Sequence, residues 1–306
     1  MENVNHLRQI LALAETGNYR KAGERLGVSH SAISQTVGKL ESLYEVSLFE
    51  KHNGETLPTT FGLRVIRSAK SMLMELERAS RDLKDLEDKG GGDVTVGVDP
   101  TLCESLVGPA IAQTIAIRPN LTYKINITPP GKELTQLREK RIDLFIGLKP
   151  DEIVSDIKYT AINLKPPAVL CRRDHPLAAR DKITLADMEP YPCTCNELPE
   201  WLKTDFNNRH VSSGGPFDVF RTIFLISQSS SLARHVLMYG ENTLAVIPKE
   251  VVKRELRRGE IKELQLNPPI FRDFVPGVIA VNHEHRLSPA GTLLTDVVQN
   301  MTSTLK

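Results

Sequence analysis

The stretch GNYRKAGERLGVSHSAISQTVGKLESLYEV, residues 17–46, decides the fold of the N-terminal part of this chain. Residues 20–26 predict a short helix, and the helical repeat of apolar residues resumes after a turn that begins at Gly27. Glycine adopts a positive φ without a steric penalty, which suits Gly27 to this turn. The side chain of Ser29 or Ser31 is expected to cap the second helix. The apolar positions that set the repeat are Ala22, Leu26, Ile33, Val37 and Leu40.

Two short helices joined by a tight glycine turn form a helix-turn-helix, whose second helix enters the major groove of DNA. The polar residues at the start of that helix can hydrogen-bond to bases or phosphates, and a Gln side chain suits the paired N6 and N7 groups of adenine. The alternative is a helical hairpin in a bundle, in which the same side chains are only solvated. The candidate DNA contacts on this helix are Ser29, His30, Ser31, Ser34 and Gln35.

The next segment, SLFEKHNGETLPTTFG at residues 47–62, predicts a β-hairpin. The dipeptide Asn53-Gly54 favours a tight turn, and Thr59 or Thr60 is expected to cap the helix that follows. A hairpin beside a helix-turn-helix is a wing, and its basic residues lie where they can touch phosphates. The phosphate candidates are Arg20 and Lys21 at a helix start, with Lys51 and His52 in the wing.

The net charge of the chain limits the ways in which it could bind DNA. The chain has 306 residues, with 39 Lys or Arg and 38 Asp or Glu, for a formal net charge of +1. That balance excludes a protein that is basic throughout, but it does not exclude a local DNA site. The first 60 residues carry six basic and seven acidic side chains. We therefore expect affinity to depend on where the charges lie and on binding by a dimer.

Residues 61–89 predict one long helix with an apolar seam in alternating three- and four-residue steps. We interpret it as a dimerisation helix, because two DNA-binding heads on palindromic half-sites need a two-fold partner. The alternative is an amphipathic helix that lies on its own domain. The glycines at 90–92 then predict a flexible joint. The seam consists of Ile66, Ala69, Leu73, Leu76, Ser80 and Leu83.

Beyond residue 92, β-branched runs alternate with helical patterns, which predicts a parallel sheet of βαβ units. No nucleophile–base pair, phosphate loop or metal-ligating cluster is evident, so we expect neither enzymatic activity nor a cofactor. The sequence shows no apolar run of membrane-spanning length and no signal-peptide pattern, which predicts a cytoplasmic protein. The four cysteines are too few for a disulfide framework, and Cys193 and Cys195 lack partners for a zinc site, so reduced thiols are expected.

Residues 1–60 resemble the DNA-binding domain of LysR-type transcriptional regulators in the stretches ETGNYRKAGERLGVSHSAISQTVGKLE, LFEK and LPTTFG. The C-terminal region resembles the effector domain of the same family. Its matching stretches are VTVGVDPTLCESLVGPAIAQTIAIRPNL, LREKRIDLFIG, VLCRRDHPLA and SQSSSLARHVLMYGENTLAVIPKEVVKREL. The sequence departs from the family pattern at Gly23, which replaces an alanine, and at Tyr44-Glu45, which replaces Leu-Gly.

The resemblance implies an α/β protein with an N-terminal winged helix-turn-helix and a C-terminal effector domain of the periplasmic-binding-protein type, made of two α/β subdomains joined by two crossing strands. It also implies a homodimer or homotetramer on double-stranded DNA, with RNA polymerase as a further candidate partner and no membrane partner. The implied boundaries are 1–60 for the DNA-binding domain, 61–89 for the linker helix and 90–306 for the effector domain, with subdomain I at 93–161 and 268–306 and subdomain II at 162–267.

In such a fold a small-molecule effector, with an organic acid as the candidate class, lies between the subdomains beyond the carboxyl ends of the strands. The helix start at Ser229 and Ser230 could hold a carboxylate, with Lys149 as a countercharge, and Ser229 would also cap that helix. The residues that fall in the cleft by motif position are Pro100, Thr101, Thr128, Pro129, Pro130, Gly131, Gly147, Lys149, Cys195, Asn196, Ser227, Ser229 and Ser230.

Three alternatives to an effector-controlled regulator stay open. One is a thiol-based redox sensor on the same scaffold, using Cys103, Cys193 or Cys195. Another is a cytoplasmic ligand-binding protein that does not bind DNA, against which the N-terminal extension speaks. The third is an enzyme that uses the helix-turn-helix for assembly, for which no catalytic constellation is present. His175 and Trp201 are expected to be structural.

Overall fold

The computed structural model describes residues 4–52, 54–87, 92–210, 223–267 and 269–303. The chain divides into two compact units, residues 1–84 and 85–306. The helices that begin in the first unit are α1 (Val4–Thr16), α2 (Tyr19–Leu26), α3 (His30–Tyr44) and α4 (Thr60–Glu87). Two antiparallel strands, β1 (Phe49–His52) and β2 (Glu55–Pro58), lie between α3 and α4 in the sequence.

The turn between α2 and α3 has the geometry that the sequence predicts. Gly27 has a φ of +67° and ends α2 in the left-handed region. The N–H of Val28 donates to the carbonyl of Gly23 at 3.0 Å, so the chain folds back directly over the end of α2. Ser29 is the cap of α3, since its Oγ accepts the N–H of Ala32 at 3.2 Å. These contacts confirm the helix-turn-helix.

The first three helices enclose one apolar core, which the beginning of α4 completes. α1 contributes Ile10 and Leu13, and α3 contributes Ile33 and Val37, all of which are buried. Ile66 of α4 belongs to the same core. The first part of the predicted dimerisation seam is therefore covered by its own domain, as the alternative interpretation of this helix anticipated.

The predicted wing forms between α3 and α4. Gly54 has a φ of +86°, which suits a tight hairpin turn, whereas Asn53 lies outside the described residues. Thr59 caps α4 by accepting the N–H of Gly62 at 3.1 Å. Residues 88–91, which include two of the three glycines predicted to form a joint, also lie outside the described part of the chain, and Gly92 begins the next strand.

The second unit contains two five-stranded sheets with helices packed around them. Its strands are β3 (Gly92–Val98), β4 (Leu121–Ile127), β5 (Leu144–Leu148), β6 (Ile157–Leu164), β7 (Ala168–Arg172), β8 (Cys193–Asn196), β9 (Ile223–Ser227), β10 (Leu244–Ile247), β11 (Ile261–Glu263) and β12 (Val275–Asn282). Its α-helices are α5 (Gly108–Ile117), α6 (Glu133–Arg138), α7 (Leu185–Met188), α8 (Glu200–His210), α9 (Ser230–Tyr239), α10 (Lys253–Arg258) and α11 (Pro289–Ser303). A π-helical segment, Cys103–Val107, leads into α5.

Both sheets are mixed, so the prediction of a parallel sheet is wrong in part. The first sheet has the order β4-β3-β5-β12-β6, and the second has the order β11-β7-β10-β8-β9. Strands β3, β4 and β5 run parallel, as the βαβ pattern predicts, but β12 is antiparallel to both of its neighbours. The reason is the connection between the sheets: the chain leaves the first sheet along β6 and returns along β12 in the opposite direction.

The two connecting strands lie side by side, because β6 pairs with β12 over eight residues. β7 of the second sheet starts four residues after β6 ends. The fold is thus the α/β arrangement of two sheets joined by two strands that the sequence predicts. None of the described helices combines the length and the apolarity that crossing a membrane requires.

Candidate functional sites

The start of α3 presents polar side chains to solvent while its other face is buried. Ile33, Val37 and Leu40 pack in the core of the first unit. His30, Ser34 and Gln35 are exposed and fall between those buried positions, because the side chains of a helix repeat every 3.6 residues. Two of the predicted contacts are also used internally. Ser29 caps the helix, and its Oγ lies 2.8 Å from the Oγ of Ser31.

The predicted phosphate contacts differ in what already surrounds them. Arg20 pairs with Glu24 at 3.5 Å, and both side chains are exposed. Lys21, Lys51 and His52 are exposed too, and within the described part of the chain no ion pair is recorded for them. Lys51 and His52 lie on β1 of the wing. Among the predicted phosphate contacts, the unpaired positive charge therefore lies at the start of α2 and in the wing.

The second unit contains a cavity of about 290 Å³ where the two sheets meet. Most of its wall is apolar, formed by Leu102 and Leu106 from the segment that leads into α5 and by strand residues such as Leu164, Val246 and Val275. The volume falls at the lower end of the range typical of small-molecule sites. The polar or charged lining residues are Thr101, Ser105, Asn163, Lys165, Asn196, Glu250, Lys253 and Thr302.

A second, much smaller recess lies at the carboxyl ends of the strands of the first sheet. Its walls include the buried carboxyl groups of Asp99 and Glu133 and the side chain of Asp151. Leu148, at the end of β5, lines both this recess and the large cavity. Burial raises the pKa of Asp99 to about 6, against the hydrogen bonds that it accepts from Thr101, and the charge of Glu133 adds to the increase.

The structure brings about half of the predicted effector contacts to these two spaces. Thr101, Cys195 and Asn196 line the large cavity. Pro130, Gly131 and Lys149 line the small recess. Others lie on neither wall: Thr128 is buried, and its Oγ1 bonds the carbonyl of Asn126 and the side chain of Gln136. The remaining predicted residues that line neither space are Pro100, Pro129, Gly147, Ser227, Ser229 and Ser230.

The serines predicted to hold a carboxylate form a closed hydrogen-bond network. Ser229 caps α9 by accepting the N–H of Leu232 at 3.1 Å. The Oγ of Ser230 donates to Oδ1 of Asn196 at 3.0 Å, and Nδ2 of Asn196 donates to the carbonyl of Ser227. The two serine hydroxyls and the Asn196 amide therefore already serve to join β8, β9 and α9.

Several lining residues were missed by sequence reasoning. Asp99 directly precedes the predicted Pro100, and an acidic residue at the end of an apolar strand was a usable signal. Glu133 gave no such signal, because it belongs to the charged segment KELTQLREK, which is typical of a solvated helix. Asn163 and Val275 belong to the two connecting strands, and a place in the cavity wall follows from their pairing rather than from any local motif.

The four cysteines are free thiols. Burial raises the pKa of Cys195 to about 11 and that of Cys193 to about 12, and it also raises the pKa of Cys103. A thiol reacts with oxidants as the thiolate, so these pKa values oppose the redox-sensor alternative. His175 is buried in its loop, where Nδ1 accepts the N–H of Leu177 at 3.1 Å, in agreement with the expected structural role.

Comparison with known proteins assigns each of the two units to a protein family model. Residues 4–63 match the model described as a bacterial regulatory helix-turn-helix protein of the lysR family, and residues 87–302 match the LysR substrate binding domain. The chain belongs to the LysR family. It is therefore a LysR-type transcriptional regulator, with a helix-turn-helix that binds DNA and an effector-binding domain.

Relatives within the family are distant. The chain is 24% identical to the SDS degradation transcriptional activation protein of Pseudomonas sp. (strain ATCC 19151), over 97% of this chain and 96% of that protein. It is 30% identical to the regulator GbpR of Azospirillum brasilense, over 60% of this chain and 55% of that one. The fold resembles that of full-length CbnR in complex with its target DNA, with a TM-score of 0.73 and 17% identity over 97% of this chain and 99% of the other.

Proposed function

We propose that the N-terminal end of α3 reads the operator sequence. The supporting observation is that His30, Ser34 and Gln35 are exposed at the start of a helix whose opposite face is fixed in the core. Side chains at that end of the second helix reach base edges in the major groove. Lys21 and Lys51 contact phosphates, and those contacts hold the helix in register without selecting the sequence.

The test is a double substitution of Ser34→Ala and Gln35→Ala in the full chain. Operators are first selected from a random duplex library with the unaltered protein. We expect the variant to lose most of its preference for the selected site while its binding to random duplexes remains, because each good base contact contributes about 1–3 kcal/mol of discrimination. Ser42→Ala, an exposed serine later in the same helix, is the matched control. An unchanged preference in the double variant would show that another segment reads the bases.

We further propose that two copies of the chain bind an imperfect palindrome and pair through the exposed part of α4. Ile66 and Ala69 of the predicted seam are buried in their own unit, but Met72 and Leu76 are about half exposed. Apolar side chains left exposed on one helix are suited to packing against the same helix of a partner. Pairing of two chains doubles the number of base contacts. We propose that the complex acts in the cytoplasm, where the DNA is.

The large cavity is our proposed effector site. It lies between the two sheets and is lined by residues of both connecting strands, so a bound molecule contacts both sheets and both connections between them. A ligand shifts an equilibrium between two arrangements only by the difference in its affinity for them. Contacts to both sheets and to β6 and β12 provide such a difference. The effector thereby biases how paired copies present their DNA-binding helices.

A further inference from the structure

The small recess beside the large cavity has an unusual combination of size and charge. It holds about 10 Å³, which is room for a single water-sized group. Three of its lining residues, Asp99, Glu133 and Asp151, are acidic. The rest of the wall is mostly apolar, formed by Pro130, Phe145, Leu148, Pro150 and Pro199. A group that binds in this space would contact carboxylate oxygens and, elsewhere, a mostly apolar surface.

Among the described residues, one oxygen of those carboxylates lacks a hydrogen-bond donor. Glu133 is only 4% exposed, and its Oε2 has no partner in the part of the chain that the structure describes. Asp99, 2% exposed, uses Oδ1 to accept both the N–H and the hydroxyl of Thr101, at 2.8 and 2.5 Å. A buried carboxylate oxygen without a donor is costly, so native structures seldom leave one unless something else binds there. The Oε2 atom of Glu133 therefore points to a donor that comes from outside the chain.

The acidic residues around the recess favour a donor that carries a positive charge. Burial raises the pKa of Glu133, backbone N–H groups of Gly131, Lys132 and Glu133 itself oppose that increase, and the neighbouring charge of Asp151 adds to it. The charge of Glu133 in turn contributes to the high pKa of Asp99. Among the described residues, no cation contributes to either shift. Lys149 lines the recess, but its side chain is exposed. The pKa values of Asp99 and Glu133 are nevertheless raised, so the backbone donors of the walls compensate the buried negative charge only in part.

We propose that this recess receives the protonated amino group of a small effector. This inference rests on the proposed role of the second unit as an effector domain, and it names the chemical class of the ligand. A primary ammonium group carries three donors and is compact enough for the space, whereas a guanidinium is too large and a carboxylate would face like charges. The apolar wall suits the carbon chain next to the nitrogen. Among the described residues, which include the three carboxylates of the recess, no three His, Cys, Asp or Glu side chains are placed so that they could hold a metal ion together.

The only tryptophan of the chain reports on this recess. The indole Nε1 of Trp201 donates to the carbonyl of Lys149 at 2.6 Å, and the backbone N–H of Trp201 donates to Asp151 at 2.9 Å. Lys149 and Asp151 both line the recess. A ligand that shifts this loop changes the environment of the indole, so the fluorescence of the unmodified full chain follows binding without an added label.

The test titrates the full chain at pH 7.5 and constant ionic strength with n-butylammonium, n-butanol, n-butyrate and sodium ions, and follows the emission of Trp201. We expect a saturable change with n-butylammonium alone. In Glu133→Gln the affinity for n-butylammonium falls at least tenfold. Glu139→Gln, which removes the same charge at the other end of α6, leaves the affinity unchanged and is the matched control. The Glu133→Gln chain unfolds at the same or a higher urea concentration than the unaltered chain, because it loses a buried charge whose Oε2 atom has no donor among the described residues.

Four results would overturn the inference. The absence of a saturable response to n-butylammonium would mean that the recess holds only water. An equal response to sodium would mean that it binds any small cation, and a response to n-butyrate instead would assign the site to acids. An n-butyrate response would leave the proposed effector domain intact, and the operator test on Ser34 and Gln35 is independent of all four. Unchanged affinity in Glu133→Gln would contradict the assignment to this recess.

Discussion

Gly23 offers the sharpest test of how α3 is held in place, because this chain has glycine where the family pattern has alanine. Glycine inside a helix costs about 1 kcal/mol relative to alanine, so a substitution by alanine would ordinarily stabilise α2. At Gly23, however, a Cβ atom would lie 2.6 Å from the carbonyl oxygen of Val28 and 3.3 Å from the backbone nitrogen of His30. Both of these atoms belong to the backbone of the turn and the start of α3.

The two effects oppose each other, and the steric effect is the larger. A contact of 2.6 Å with a backbone oxygen forces the turn to move, and overpacking of this kind costs about 1–3 kcal/mol. We expect Gly23→Ala to destabilise the first unit by about 1 kcal/mol, after the helix-propensity gain is subtracted. Gly38→Ala in α3 is the matched control, because a Cβ there meets nothing within 4 Å. It should stabilise the unit by about 1 kcal/mol.

Amide hydrogen exchange of the full chain, followed by mass spectrometry, measures this difference locally. Peptides that cover α2 and α3 should exchange about 30-fold faster in Gly23→Ala than in Gly38→Ala, which corresponds to a difference of about 2 kcal/mol. Gly23→Ala should also weaken operator binding, because the displaced turn carries His30 and Ser31. Equal protection in the two variants would show that the turn relaxes at no cost, and the argument from the close contact would then be wrong.

Two further predictions concern single residues. Glu45 ends α3 with a φ of +53°, where the family has glycine, so Glu45→Gly should stabilise the first unit by about 0.5–1 kcal/mol, measured by the same exchange experiment. Burial raises the pKa of Asp99 from 3.8 to about 6, so the folded state holds this proton more tightly than the unfolded state. The unaltered chain should therefore lose about 3 kcal/mol of stability relative to Asp99→Asn as the pH rises from about 4 to above 6, as urea unfolding at each pH would show. A parallel pH dependence in both chains would refute the second prediction.

The features that sequence reasoning predicted well are those fixed by neighbouring residues. The turn at Gly27, the cap at Ser29 and the wing all depend on residues within one hairpin or one pair of helices. Their physical causes, such as a positive φ or a side-chain oxygen near a free N–H, act over a few positions. The departures at Gly23 and Glu45 were equally visible in the sequence, although their energetic meaning required the contacts across the turn.

The walls of the large cavity, our proposed effector site, were harder to predict, because distant segments form them. Strand ends can be placed from motif order, and Thr101, Cys195 and Asn196, which were predicted in that way, line the cavity. Residues of the connecting strands lie in the cavity wall because β6 pairs with β12, and these strands are more than a hundred residues apart in the sequence. Among the described residues, the Oε2 atom of Glu133 lacks a donor because the first turn of α6 is buried. No local sequence pattern distinguishes that glutamate from one on a solvent-exposed helix.

The ion pairs of the DNA-binding head show how its near-neutral charge limits the cations that can contact DNA. Arg25 pairs with Glu15 at 2.7 Å, and Arg20 pairs with Glu24, so two of the six basic residues counted in the sequence have partners before DNA arrives. Each phosphate contact releases counterions, and affinity rises steeply with the number of contacts. Arg8, Lys21, Lys39 and Lys51 have no ion pair among the described residues, so a single head has four of these six cations free to offer. In the proposed dimer, two heads joined through α4 double that number within one complex, and the free energies of binding to the two half-sites add. The scarcity of free cations thus favours operators with two half-sites over isolated ones, because sites that only one head can reach are bound weakly.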